Sequence, residues 1–415
     1  MKVLLLGSGA REHALAWRIA QSRELWKLHC APGNAGMEER WKCHPIEPAN
    51  PALVCELALR LGVDLVVVGP EGPLVAGVAD ALRKVSVAVF GPDAAAARIE
   101  GSKAWAKEVM TAARVPTPRC EVFTDLKAAE ARAKSGGAAV VKADGLAFGK
   151  GVIVADSGEE AAQAVRTLGA LAAGATLLLE ERISGPELSV IALCDGDRYL
   201  LLPPAQDHKR LLDGDQGPNT GGMGAWAPAN LVSAAQMEEI GRLLISPTLA
   251  ELARRGTPFR GALFAGVMLT AEGPKVLEFN CRFGDPETQP LLMQLDEDLL
   301  PLLAACAAGR LTQTKLKVKA GVSVAVVLAA HGYPQSPRAG DTIDGLQQPA
   351  PTGVERFLGG VRREAGVPLT SGGRVLTVCA QAPTFEAARA AAYAEAERIQ
   401  FAGKQYRRDI GAPAK

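Results

Sequence analysis

Residues 138–155 read AAVVKADGLAFGKGVIVA. Two runs of small and β-branched residues, AAVV and GVIVA, enclose glycines at 145, 149 and 151, the pattern of a strand, a glycine-rich turn and a second strand. With Gly145, Gly149 and Gly151 the turn folds closely over phosphate groups, and Lys142 and Lys150 bring positive charge to them. The segment has neither GKS nor GKT, so it is not a Walker A loop. Taken alone, a Gly/Lys hairpin is more often a solvated turn. Support comes from EERISGPELS (180–189), where Glu180, Glu181 and Glu187 flank a bend and offer acceptors for an adenine amino group and a ribose hydroxyl.

Further along, residues 278–289 read EFNCRFGDPETQ and follow the apolar run ending in KVL. A turn accounts for Gly284, Asp285 and Pro286, but not for Glu278 and Asn280, which alternation puts on one face of a strand. A carboxylate and an amide two apart make an all-oxygen pair of the kind Mg²⁺ takes when phosphates fill its other positions. Arg282 falls on the same face, suited to charge on a phosphoryl group in transfer or on an acyl phosphate.

The N-terminal KVLLLGSGAREHALAWRIAQ is a buried strand, a glycine turn and a helix. A glycine turn opening a helix presents N–H groups to an anion, which invites a dinucleotide reading. The spacing is G-x-G-x-x-E, however, and the second strand ends in Cys30, Ala31, Pro32 and Gly33 with no acid for an adenosine ribose. A single phosphate near Gly9 fits better than a pyrophosphate. GPEGP (69–73) also follows a strand end, which directs Glu71 to the same crevice.

The chain has 415 residues, 48% hydrophobic and 22% charged, enough for two to four domains. Lys plus Arg is 46 against 45 for Asp plus Glu, so no overall field draws it to nucleic acid or an anionic membrane. The 8 cysteines include no CxxC pair or zinc-ligand spacing, and with no signal-peptide or membrane-length apolar run they predict a reduced, cytoplasmic protein. Strands alternating with helices over 1–100 predict a doubly wound parallel sheet. Residues 101–324 predict a second unit of mixed helices and strands, and 325–415 a small α+β domain with an Ala-rich helix. Probable antiparallel strands fill 175–204. QDHKRLLDGDQGPNTGGMGAWAPAN (206–230) reads as one long loop, and FRGALFAGVMLTAEGPKVLEFN (259–280) as a hairpin.

GSGAREHAL, GPEGPL, VVKADGLAFGKGVIV, EERISGPELS, PAQDHKRLLDGDQGPNTGGMGAW and EFNCRFGDPETQ, in this order, resemble the phosphoribosylamine–glycine ligase family of the ATP-grasp superfamily. The resemblance covers nearly the whole chain, and it implies that 101–324 is a two-lobed α+β ATP-grasp domain with a lid at about 116–190. It implies that ATP, glycine and 5-phosphoribosylamine become glycinamide ribonucleotide, ADP and phosphate through a glycyl phosphate, early in purine synthesis. By motif, it implies Lys103 and Lys142 at the ATP phosphates, Glu181 and Glu187 near adenine and ribose, and Glu278 and Asn280 on Mg²⁺ or Mn²⁺. Arg282 falls at the transferring group. Asp207, His208, Lys209, Asn219, Gly221, Gly222, Met223, Gly224 and Asp285 line the glycine and phosphoribosylamine pocket, with Gly9 and Glu71 contributing from the N-terminal domain. His208 is given a binding role, not that of a general base.

The sequence departs from the family pattern at Ala10, at Phe148, and in FAGVMLT, which lacks the further acid that related enzymes often carry for a second metal. The alternatives are another ATP-grasp ligase or carboxylase of purine metabolism, and a dinucleotide-binding module. The partners expected are small molecules, with neither nucleic acid nor membrane, and the protein a monomer or weak homodimer.

Overall fold

The computed structural model describes residues 1–146, 151–171 and 176–412, so the site candidates Gly149 and Lys150 lie outside the described residues. Strands β1 (Lys2–Gly7), β2 (Lys27–Pro32), β3 (Lys42–Cys43), β4 (Leu65–Val68) and β5 (Ala88–Phe90) form a parallel sheet in the order β3-β2-β1-β4-β5. Its central strands are apolar on both faces because both are covered. Val3 and Leu5 pack with Ala14, Leu15 and Ile19 of the helix Ala10–Ile19, whereas Leu4 and Leu6 join Val54, Leu57 and Leu82 of the helices on the other side. This is the doubly wound arrangement expected. The sequence reading passed over β3, whose two residues are too few to carry an alternation.

Strands β6 (Cys120–Phe123), β7 (Ala139–Ala143), β8 (Val152–Ala155) and β9 (Leu177–Glu181) form an antiparallel sheet ordered β6-β9-β7-β8. The helices Leu126–Ser135 and Gly158–Leu171 cover one face, through Ala129, Ala133, Ala161, Ala162, Val165 and Leu168 on Val141, Leu177 and Leu179. Alternation then turns Lys142 and Glu180 to the other face. Beyond a bend at 182–186, β10 (Glu187–Gly196) and β11 (Tyr199–Leu201) belong to a different sheet. The expected run of strands over 175–204 is thus shared between two lobes.

The segment read as a single long loop contains four short strands: β12 (Gln206–Asp207), β13 (Arg210–Leu212), β14 (Gln216–Asn219) and β15 (Gly224–Ala227). None exceeds four residues, and β15 pairs with a strand a hundred residues away, so neither periodicity nor a local turn announces it. The hairpin of β16 (Phe259–Thr270) and β17 (Gly273–Asn280) forms as expected and completes the sheet β11-β10-β16-β17.

The C-terminal part supplies β18 (Val322–Ala329), β19 (Val354–Leu358), the ribbon of β20 (Val361–Glu364) and β21 (Val367–Thr370), and β22 (Arg374–Ala382). Its main sheet runs β12-β15-β18-β22-β19, so the substrate-loop segment is built into it. The Ala-rich helix Phe385–Arg398, capped by Thr384, lays Ala388, Ala392 and Ala396 on the core.

Candidate functional site

The two central lobes enclose a cavity of about 1710 Å³. Glu278 and Asn280, at the end of β17, both line it, and Phe279 between them, buried in the core, also borders it. Burial raises the Glu278 pKa, but Lys209, Lys142, Lys103 and Arg282 outweigh that and hold the carboxyl below its ordinary range. The floor of the cleft therefore keeps an ionised carboxylate among four cations.

Lys103 begins the helix Lys103–Ala112, whose N-cap Ser102 accepts from Trp105 N–H and donates to Asp144. Its ammonium donates to Gly145 O at 2.8 Å, at the entrance to the glycine turn. Lys142 on β7 donates to Leu277 O at 3.0 Å and lies 2.9 Å from Glu180. Glu180 is buried between two lysines, because Lys107 stands 3.3 Å from its Oε1. That oxygen receives no hydrogen bond among the described residues. Lys107 in turn donates to Thr117 Oγ1 at 2.7 Å and Pro118 O at 3.2 Å. Glu181 is more open and pairs with Arg119. Gly145 and Gly151 also line the cavity.

On the substrate side, Glu187 and Lys209 form an ion pair of 2.6 Å. Beside them, burial pushes the Asp207 carboxyl up to about 8, with Glu287, Glu187 and Glu278 adding to the shift and Lys209 opposing it. Glu287 accepts from Ser189 Oγ at 3.0 Å. Arg282 is held by two carboxylates, Glu71 at 3.1 Å and Glu100 at 3.0 Å, which keep its charge in spite of burial. Asp285 accepts from Gln289 at 2.8 Å and pairs with Arg374 at 2.9 Å. His208 does not offer its Nε2 to the cleft. That nitrogen accepts from Gly411 N–H at 2.8 Å, so the proton of the neutral ring sits on Nδ1, and burial lowers the pKa to about 4.

A second cavity of about 480 Å³ lies where Ser8, Gly9 and Ala10 meet Gly359, Gly360, Ser371, Gly372 and Arg374 of the C-terminal part. Asp285 borders both cavities. Gly9 faces this smaller one, at the N-terminus of its helix. Glu12, where a dinucleotide turn needs its third glycine, reaches back to Gly9 N–H at 2.8 Å and fills the space beneath Gly7 and Gly69. A carboxylate thus sits where close pyrophosphate packing needs bare backbone.

Of the glycine-rich segment, Asn219 and Gly221 border the main cavity. Gly222, Met223 and Gly224 do not: Gly222 abuts Pro286, Met223 is buried, and Gly224 packs on Ile410. Their small size serves the wall behind the cleft. The sequence reading missed Glu100, Lys107, Glu287, Arg374 and Arg407. Glu287 sits inside the quoted RFGDPET motif; Glu100, Lys107 and Arg374 stand in helical or strand segments and Arg407 in an irregular C-terminal segment, where a charged residue looks solvated until its partner is known.

Three family models of phosphoribosylglycinamide synthetase match the chain in sequence: the N domain at residues 1–100, the ATP-grasp (A) domain at 101–288 and the C domain at 323–413. The phosphoribosylamine–glycine ligase of Mesorhizobium japonicum is 47% identical over 99% of this chain and 98% of its own length. That of Streptomyces coelicolor is 47% identical over 100% and 99%. The crystal structure of the Thermotoga maritima phosphoribosylamine–glycine ligase superposes with a TM-score of 0.86 at 36% identity, covering 99% of this chain and 100% of that one. The biotin carboxylase domain of Hydrogenobacter thermophilus 2-oxoglutarate carboxylase, with a TM-score of 0.75 at 21% identity over 97% and 91% of the two chains, shares the fold.

Proposed function

This chain belongs to the phosphoribosylamine–glycine ligase family, and from that membership together with its cleft we infer the chemistry residue by residue. It is an ATP-dependent ligase of purine biosynthesis that joins glycine to 5-phosphoribosylamine. In the first step a glycine carboxylate oxygen attacks the γ-phosphorus of ATP, and ADP leaves with the bridging oxygen. The phosphoribosylamine nitrogen then attacks the acyl carbon, phosphate leaves, and the nitrogen gives up a proton.

The observation that carries this reading is the convergence of Lys103, Lys142, Glu278, Asn280 and Arg282, from a helix, two different sheets and the bend after β17, on one cavity. Lys103 and Lys142 hold the ATP phosphates beside Gly145 and Gly151. Glu180 Oε1, ion-paired with Lys107 at 3.3 Å but without a hydrogen bond among the described residues, accepts from the adenine amino group, with Glu181 and Glu187 toward the ribose. Arg282, kept charged by Glu71 and Glu100, meets the negative charge that develops during phosphoryl transfer. Asp207 and Lys209 bind the charged ends of glycine. The lid sheet covers the acyl phosphate against hydrolysis.

The donor set of Glu278 and Asn280 fits Mg²⁺ or Mn²⁺, being all oxygen with its carboxylate ionised. Glu278 and Asn280 would hold the ion together with phosphate oxygens and water, since among the described residues no group of three or more His, Cys, Asp or Glu is arranged to hold a metal alone. When bound, the ion neutralises phosphate charge. The smaller cavity, with Gly9 at a helix N-terminus and Arg374 opposite, takes the phosphate of phosphoribosylamine.

The proposed units are 1–100, 101–324 and 325–415. The protein is proposed to work in the cytoplasm as a monomer or weak homodimer. Support for that setting is that its 8 cysteines are free; no described helix is long and apolar enough to cross a membrane.

The test is phosphate release from ATP with glycine or other amino acids, each with and without phosphoribosylamine. Release should require glycine and phosphoribosylamine together. Calorimetry should show ATP·Mg²⁺ binding with a dissociation constant between micromolar and sub-millimolar, roughly 5 to 8 kcal/mol. Tight NAD binding without ATP binding would overturn the reading.

A further inference from the structure

The C-terminal segment Arg407–Gly411 lies along the β13–β14 hairpin, and Arg407, Asp409 and Gly411 border the main cavity. Arg407 is the most conspicuous group there: its side chain is 1% exposed, although it stands five residues from the end of the described chain. Its Nε and Nη2 fork onto Asp409, both at 2.7 Å, and its Nη1 donates to Asp215 Oδ1 at 2.6 Å and Arg210 O at 3.3 Å. Three backbone bonds add to the seam. Gly214 N–H donates to Asp409 Oδ2 at 2.8 Å, Arg408 N–H to Asp213 Oδ1 at 2.7 Å, and Gly411 N–H to His208 Nε2 at 2.8 Å.

The strap is itself anchored to the last helix. Tyr393 donates to Arg407 O at 2.9 Å and accepts from Ile410 N–H at 3.0 Å, while Arg389 donates to Arg408 O and Ile410 O. The hairpin has no such support of its own. Its strands are three and four residues long, Leu212 is exposed, and the turn Asp213–Asp215 buries nothing. An isolated two-stranded ribbon of this kind is marginal in water. Yet Asp207, Lys209 and Asn219, which flank or belong to it, must face the cleft in register.

We propose that Arg407 is a positioning residue for ligation: through Asp215, Asp409 and the Arg210 carbonyl it fixes the β13–β14 hairpin, and thereby sets Asp207 and Lys209 for the amino acid. The inference rests on the reading of Asp207 and Lys209 as the glycine-binding pair. A planar guanidinium satisfies these four acceptors, on three residues, in fixed directions, which an ammonium at the same place does not. The lysines and Glu278 that serve ATP hang on other elements and are untouched by the strap.

The experiment uses the full chain with Arg407→Met, Arg407→Lys, Asp215→Asn and Asp207→Asn. KM for glycine and for ATP, kcat, ATP·Mg²⁺ affinity and hydrogen exchange of the Gly214 amide are measured for each. Arg407→Met should raise the glycine KM at least tenfold and speed Gly214 exchange, with the ATP dissociation constant unchanged within twofold. Arg407→Lys should fall between it and the parent. If Arg407→Met folds poorly, Asp215→Asn, at a half-exposed site, should give the same pattern more weakly. Glycine and ATP parameters worsening together would make the strap a stability element and overturn the proposal. So would an unchanged glycine KM in the Arg407 and Asp215 variants while Asp207→Asn raises it. If Asp207→Asn also leaves the glycine KM unchanged, the glycine-site reading fails and the strap proposal falls with it.

Discussion

Acid should loosen the seat of the C-terminal part on the N-terminal helix, and His13 sets the size of the effect. Its Nδ1 accepts from Leu358 N–H at 3.0 Å, and its ring meets Trp41 and Phe357 edge-on. Burial, reinforced by the Arg40 charge, lowers the imidazole pKa to about 4. In the unfolded chain the same group titrates near 6.5. The native state therefore binds fewer protons than the unfolded one between these values, so the stability His13 contributes is present above pH 6.5 and lost as pH falls toward 4. At pH 5 the loss is about 1.5 pKa units, or about 2 kcal/mol, an approximately thirtyfold rise in opening. Native-state hydrogen exchange at residues 354–358, corrected for intrinsic rates and compared at pH 7.5 and 5, reads it directly. The variant His13→Gln keeps a hydrogen-bond acceptor but no titrating ring, so its acid-induced rise should be smaller by that factor. The same acid response in parent and variant would refute the assignment of the buried, neutral ring.

Glu278→Ala or Asn280→Ala should cut turnover by roughly a hundredfold or more, several kcal/mol of charge stabilisation, while circular dichroism stays unchanged; a folded, active Glu278→Ala enzyme would sink the metal assignment. Glu180→Gln removes the carboxylate shared by Lys107 and Lys142 and should cost about 3 to 5 kcal/mol in denaturant unfolding. Adding Lys107→Met should recover part of that, and strict additivity in the double-mutant cycle would deny the coupling. Gly69→Ala drives a Cβ into the Glu12 carboxylate and should cost about 1 to 3 kcal/mol. It should also weaken glycinamide ribonucleotide binding near Gly9 and spare ATP binding, so equal loss of both ligands would count against two separate cavities.

The sequence by itself determined the elements that repeat or run on locally. VLLL and LVVV are continuous apolar runs because both faces of β1 and β4 are covered, and their β-branched residues and flanking glycines mark them as strands. The Glu278 and Asn280 alternation announced two oxygen donors on one face, and the cleft receives both. The order of motifs identified the family. Tertiary structure alone decided which charges meet. Glu180 falls between Lys107 and Lys142, Arg282 between Glu71 and Glu100, and Arg407 against Asp215. These partners stand tens to hundreds of residues apart, and a charged residue carries no local mark of whether it will be solvated or buried. The same reason hid β12 through β15. Their strands are held by β18 and the C-terminal strap rather than by their own pattern, so only the folded chain distinguishes them from a loop.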